Sequence, residues 1–215
     1  MRNFVMEWNL PIQKVEIANI NIGSPWAQNR RDFAMKPMAP LSYFGTQFRL
    51  PFVSLLFPPL PIVDYNSQTG KLVLEMGETN LACIKLNTFQ DTLIGAIVYH
   101  QHGWFKTDYS KEEVKAGFQP MIIGTQIHLH CPFSPGQRSV PIYKKDKGWS
   151  ASFAPEDLAV GSRIRIAIKI HGISFLNREN NEWSGRCRIQ HRIMGIIQTV
   201  DLSHTASEEA PKTEH

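Results

Sequence analysis

The chain has 215 residues, 42% of them hydrophobic, which suits one domain with arms or two small domains and supplies a true core. Its net charge is only +4, but residues 138–192 hold eleven Lys/Arg against five Asp/Glu, and residues 201–215 hold four acidic side chains against Lys212. No stretch of eighteen apolar residues occurs and the three cysteines lack CxxC spacing, so a membrane-spanning helix and a disulfide-stapled scaffold are both excluded as expectations.

From the N-terminus, Met1–Leu10 lacks the apolar run of a signal peptide, and residues 1–36 read as an arm. Within it, the loose alternation of Val15, Ile17, Ile20 and Ile22 offers one extra strand. Gly23–Pro40 is loop-like. Leu41–Pro61 is rich in proline and aromatics, with Tyr43, Phe44, Phe48, Phe52 and Phe57 around Arg49. Two uses fit this segment, core packing or a base-stacking surface with Arg49 on phosphate.

Tyr65–Gly70 predicts a turn and Lys71–Met76 a strand. Thr88–Val98 has helical spacing, with Asn87 or Thr88 as the cap, and Val98–Phe105 carries the aromatics Tyr99, Trp104 and Phe105, of which Trp104 and Phe105 cannot both face out if they lie in one strand. Ser110 and Glu113 predict a capping box, ended by Gly117. Thr125–Cys131 alternates, with Gln126, His128 and His130 on one face. Val140–Tyr143 and Gly148–Phe153 flank the basic turn Lys144, Lys145 and Lys147.

The most informative stretch is Gly161–Thr199. Arg163, Arg165 and Lys169 alternate with branched aliphatics, and Arg186, Arg188 and Arg192 alternate with mostly apolar positions. Such alternation predicts a hairpin of half-buried strands with a loop near Asn177–Gly185. Keeping the aliphatics together requires the numbers of opposed residues to sum to an odd value. All six cations then share one face. Like charges across a sheet cost roughly 0.2–1 kcal/mol per opposed pair, so such a face implies an anionic partner.

The many short strands predict a mainly β fold, an OB-like, partly open Greek-key barrel with small helical insertions over residues 37–200. Residues 201–215 read as a flexible, mildly acidic tail. Single-strand binders pair a cationic groove with stacking aromatics. The phosphate candidates are Arg163, Arg165, Lys169, Arg186, Arg188, Arg192, Lys144, Lys145, Lys147 and Arg49. The stacking candidates are Trp183, Trp149, Tyr143 and Phe175, with Phe44, Phe48 and Trp104 behind them, and Trp183 in the hairpin loop is the best exposed.

His100/His102 and His128/His130 have a spacing known for metal ligands, but no Cys/His pattern completes a site, and His128/His130 equally suit phosphate. No Walker A, GxGxxG, GxSxG or HExxH motif occurs, and Asp64, Glu75, Glu78, Asp91 and Asp108 are scattered. No catalytic residue, metal or cofactor is therefore expected.

The order of several short motifs resembles that of the single-stranded DNA-binding proteins of large nucleocytoplasmic DNA viruses. It runs through Phe44-Gly45-Thr46-Gln47-Phe48-Arg49-Leu50-Pro51-Phe52, Phe118-Gln119-Pro120, Cys131-Pro132, the Lys-rich turn, Pro155-Glu156-Asp157-Leu158, Gly161-Ser162-Arg163 and Ile173-Ser174-Phe175. The resemblance implies an OB-like core and sequence-independent binding of single-stranded DNA in replication, repair or recombination. RNA is the related alternative ligand. The tail is a candidate contact for replication proteins, and self-association is open. The cysteines fit a reducing compartment, host cytoplasm or nucleus if the chain is viral. The competing expectation is a structural or virion β-sandwich that assembles through residues 41–61.

Overall fold

The structure is a computed structural model, and it describes residues 9–27, 37–46, 49–133, 140–144, 147–150, 153–177 and 182–199. The N-terminal part forms β1 (Leu10–Pro11), two 3₁₀ turns, β2 (Ile20–Ile22) and β3 (Trp26–Ala27). Ile12 and Val15, between β1 and β2, are buried in the core. Then come β4 (Pro37–Phe44), β5 (Arg49–Leu50), β6 (Val53–Leu56), β7 (Leu60–Asn66) and β8 (Lys71–Glu75). The turn between β7 and β8 is set by Asn66, whose Oδ1 accepts from the N–H groups of Gln68 and Thr69.

Two helices follow, α1 (Leu81–Phe105) and α2 (Lys111–Gly117). α1 has 25 residues, so the expected helix over Thr88–Val98 is too short, and Val98–Phe105, with Trp104 and Phe105, continues it rather than forming a strand. The helix starts at Asn80, whose side chain accepts from the Ala82 N–H, and stops at Lys106 in the left-handed region. Leu86, Phe89, Leu93 and Ile97 are buried, while Ile84 and Tyr99 are exposed. With apolar residues on both sides the amphipathic signal is weak, which hid the length of the helix. By length and composition α1 could cross a membrane, yet one face is packed inside the protein. The Ser110–Glu113 capping box forms as expected and opens α2.

The remaining strands are β9 (Phe118–Gln119), β10 (Ile122–Ile123), β11 (Gln126–His130), β12 (Ile142–Lys144), β13 (Gly148–Ser150), β14 (Arg163–Asn177) and β15 (Trp183–Thr199). The fold is mainly β, and the sheet stays open along the path β10-β11-β8-β7-β14-β15-β12-β13. β14 is its spine. One edge pairs with β15, and the other pairs in turn with β7, β6 and β4. Ile164, Ile166, Ile168 and Ile170 of β14 are fully buried, as the alternation requires.

The β14–β15 register departs from the expected one. Ile168–Ile170 oppose Ile193–His191 with the odd sum, but Arg163–Ala167 and Gly172–Leu176 oppose their partners with an even sum. Irregularities between Ala167/Ile168 and Ile170/Gly172 reconcile the stretches. The physical reason lies at the two bends. A Cβ on Gly172 would come 2.2 Å from the Ala39 carbonyl oxygen, so β4 can cross β14 there only over a glycine. On β15 the extra residue falls at Met194, next to Gly195. Each bulge re-phases the alternation, so the six cations still share one face.

Candidate nucleic-acid interface

Along the hairpin face Arg163 sits opposite Thr199, Arg165 opposite Ile197, Lys169 opposite Arg192, Arg188 opposite Ser174, and Arg186 opposite Leu176. Only Lys169 and Arg192 form a directly opposed like-charged pair. The other four cations are staggered against neutral residues, which spreads the repulsion. Neither β14 nor β15 contains an Asp or Glu. At a rise of about 3.3 Å per residue, the face runs for roughly 40 Å along β14. Arg163 is exposed and donates from Nη2 to the Pro59 carbonyl at 2.9 Å. Lys169 holds its Nζ 3.6 Å from the Phe52 ring centroid. The buried Arg165 Nε has no hydrogen-bond partner among the described residues.

An aromatic pair stands on the same face. Gly195 opposes Ala167, between the Arg165 and Lys169 positions. A Cβ on Gly195 would touch the Trp149 ring at 3.7 Å, which places that indole over this small-residue gap. Trp149 is 53% exposed. Tyr143, in parallel register with Ile197, packs 5.5 Å from Trp149 at 60°. A half-exposed indole set between the Arg165 and Lys169 positions can stack a base while those cations hold the flanking phosphates.

Two stacking candidates are core residues instead. Trp183 begins β15 and is 1% exposed, and Phe175 is 0% exposed. Their centroids lie 5.4 Å apart, and Phe105, Trp104 and Tyr109 complete the cluster. Trp183 Nε1 donates to the Arg186 carbonyl at 2.8 Å, which satisfies the one polar atom of a buried indole. The expectation of an exposed loop tryptophan thus fails for a simple reason. The odd-numbered apolar phase of β15 (Trp183, Gly185, Cys187, Ile189) extends back through Trp183 and carries it inward.

The outlying candidates separate. Lys144 is partly buried and ion-paired to Asp157, which leaves it less charge to offer than a free lysine. Lys147 is exposed in the β12–β13 turn, whereas Lys145 and Phe48 lie outside the described residues, as does the tail. Arg49 lies 5.4 Å over the Phe44 ring, on the part of β4 that pairs with β2 and β5 rather than with the hairpin. Tyr43 and Phe57 are buried, so residues 41–61 contribute these rings to the core.

The histidines also part company. His100 and His102 are on α1, not on a strand. His100 stacks on Trp104 at 4.9 Å, and His102 Nδ1 lies 3.1 Å from an Asp108 carboxylate oxygen. His128 and His130 are on β11 and face His191 of β15, whose Nε2 accepts from the His130 backbone N–H at 3.2 Å. Burial, helped by His130, Arg188 and His171, pushes His191 down to about 4, and burial and Lys71 lower His128. No group of three or more His, Cys, Asp or Glu among the described residues could hold a metal ion. Cys83, Cys131 and Cys187 are buried and unpaired, and burial pushes the thiols of Cys131 and Cys187 up to about 12. The approach of His191 to β11 had no signal in the sequence, because sixty residues separate the partners and nothing in the pattern pairs them.

Compared with known proteins, the chain matches no family model, no curated sequence and no solved structure. What can be said of its function therefore comes from the geometry of this face.

Proposed function

We propose that this protein binds single-stranded DNA with little sequence preference, in the service of DNA replication, repair or recombination. The observation that carries the reading is the pair of hairpin strands, which contain six cations and no Asp or Glu, with Trp149 set over Gly195 between the Arg165 and Lys169 positions. Phosphates lie along Arg163, Arg165, Lys169, Arg192, Arg188 and Arg186, and counterion release drives association. Trp149 and Tyr143 offer ring faces that every base can use, so affinity follows strand length and salt rather than sequence. The reading includes no chemical step. RNA competes for the same face, because phosphate and ring contacts do not select the sugar.

The test is fluorescence anisotropy with labelled oligo-dT, against duplex DNA and RNA of equal length, at two salt concentrations. A single-strand contact to six phosphates predicts a slope of about −4 in log K against log salt. Arg186→Glu with Arg188→Glu flattens that slope by about 1.4 and weakens binding. Equal affinity of the double variant and the parent would remove the hairpin face from the reading.

A further inference from the structure

β15 is paired to β9 at Cys187 and Arg188, and to β12 from Ile196. Between these points no described strand pairs with that edge. A cleft of about 500 Å³ opens there, between β15 and the β8–β11 pair. That volume is in the range of small-molecule sites, well beyond a bare anion. Lys71 and His128 line one wall, Arg188 and Gln190 the other, and no carboxylate among the described residues lines the cleft. Lys71 has an ion pair with Asp64 at 3.1 Å, but both side chains are about half exposed, so the contact exchanges readily with another anion. The floor is apolar, formed by Met121, Leu129 and Ile189.

The tautomer of His191 is set by its accepted bond from the His130 N–H, which leaves Nε2 without a proton. His191 is thus a neutral wall, while Lys71 and Arg188 bring fixed charge, and His128 and the second N–H of Gln190 Nε2, whose first donates to Ser174 Oγ at 2.6 Å, bring donors. Two cations, flanking N–H donors and an apolar floor form a site for a doubly charged oxyanion attached to a flat, partly apolar group.

We propose that this cleft binds the phosphate monoester of a nucleotide, with the phosphate among Lys71, His128 and Arg188 and the base against the apolar floor. The inference deepens the single-strand reading, on which it rests for the choice of a nucleotide over other phosphate esters. Arg188 belongs to both the cleft and the hairpin face, so a strand lying on the face can end in the cleft.

Isothermal titration of the full chain with dTMP and with thymidine tests this directly. dTMP binding at least tenfold tighter than thymidine is the expected result, and equal affinity for the two overturns the proposal. Lys71→Gln with His128→Gln should weaken dTMP at least tenfold while leaving binding of 5′-hydroxyl oligo-dT unchanged, which also reports an intact fold. Unchanged dTMP affinity in that variant places the nucleotide elsewhere and sinks the cleft. The source of the phosphate is read from 5′-phosphorylated against 5′-hydroxyl oligo-dT. A tighter phosphorylated strand assigns the cleft to strand ends, and equal strands with tight dTMP assign it to free nucleotide. Failure of the two readings is separable: tight dTMP without oligo-dT binding defeats the single-strand reading alone, and the converse defeats the cleft alone.

Discussion

Acid should destabilise this protein chiefly through His191. His191 is held neutral in the fold, pushed down to about 4 by burial and by the nearby His130, Arg188 and His171. In the unfolded chain an imidazole titrates near about 6.5. Between those values the unfolded state binds the extra proton, so stability rises with pH and is lost as pH falls through 6.5 toward 4. The gap amounts to about 2 kcal/mol lost by pH 5 and about 3 kcal/mol by pH 4. His128, lowered by burial and by Lys71, and Glu75 and Glu113, lowered by hydrogen bonds, lose stability in the same direction, so the raw acid limb is not diagnostic. The comparison is with His191→Gln, which keeps an acceptor for the His130 N–H. Urea unfolding of both proteins at pH 7.5, 6, 5 and 4 should show parent and variant diverging, the parent losing about 3 kcal/mol more by pH 4. Parallel losses within 1 kcal/mol (about the uncertainty of linear extrapolation) would refute the buried neutral imidazole.

Other perturbations discriminate among the aromatic and backbone assignments. Trp183→Ala should cost about 3–5 kcal/mol in chemical denaturation, as for any large ring removed from a core. Trp149→Ala should leave the unfolding midpoint nearly unchanged and weaken oligo-dT by about 1–3 kcal/mol, and the opposite ranking would reverse the two roles. Gly172→Ala places a methyl carbon 2.2 Å from the Ala39 oxygen, so β4 must shift, with a loss of about 3 kcal/mol readable by thermal melting. Gln90→Leu strands the Met121 and Ile122 N–H groups, which Gln90 Oε1 accepts at 2.6 and 3.0 Å. It should cost about 1–3 kcal/mol for each unsatisfied group, and faster amide exchange at those two positions would accompany it.

Much of the hairpin was legible because β14 and β15 alternate cleanly over long runs, and period-two patterning reports a half-buried strand directly. The register was not, because pattern alone assumes an unbroken ladder. Gly172 and Gly195 were the available signals, since an isolated glycine within a strand commonly marks a bulge. The cationic face survived the wrong register because the two bulges restore the phase. Trp183 and Phe175 were misplaced for another reason: an aromatic beside a loop reads as exposed until the packing of Phe105 and Tyr109 against it is known. That packing comes from α1 and the segment just after it, at a distance in the chain that no local pattern spans. α1 itself was shortened because Ile84 and Tyr99 on its outer side blur the apolar stripe.

The spine position of β14 also governs the order in which the molecule can be built. β4, β6 and β7 all hydrogen-bond to β14, yet they precede it in the chain by about a hundred residues or more. During synthesis at about 5–20 residues per second, Leu60 waits roughly five to twenty seconds before Arg163 exists. Through that interval the strands around residues 37–66 have no spine, and their apolar edges are open to other chains. Folding of this protein on the ribosome is therefore a late event that starts once β14 has emerged, and nascent chains arrested before residue 163 should recruit holding chaperones that the released full-length chain no longer needs.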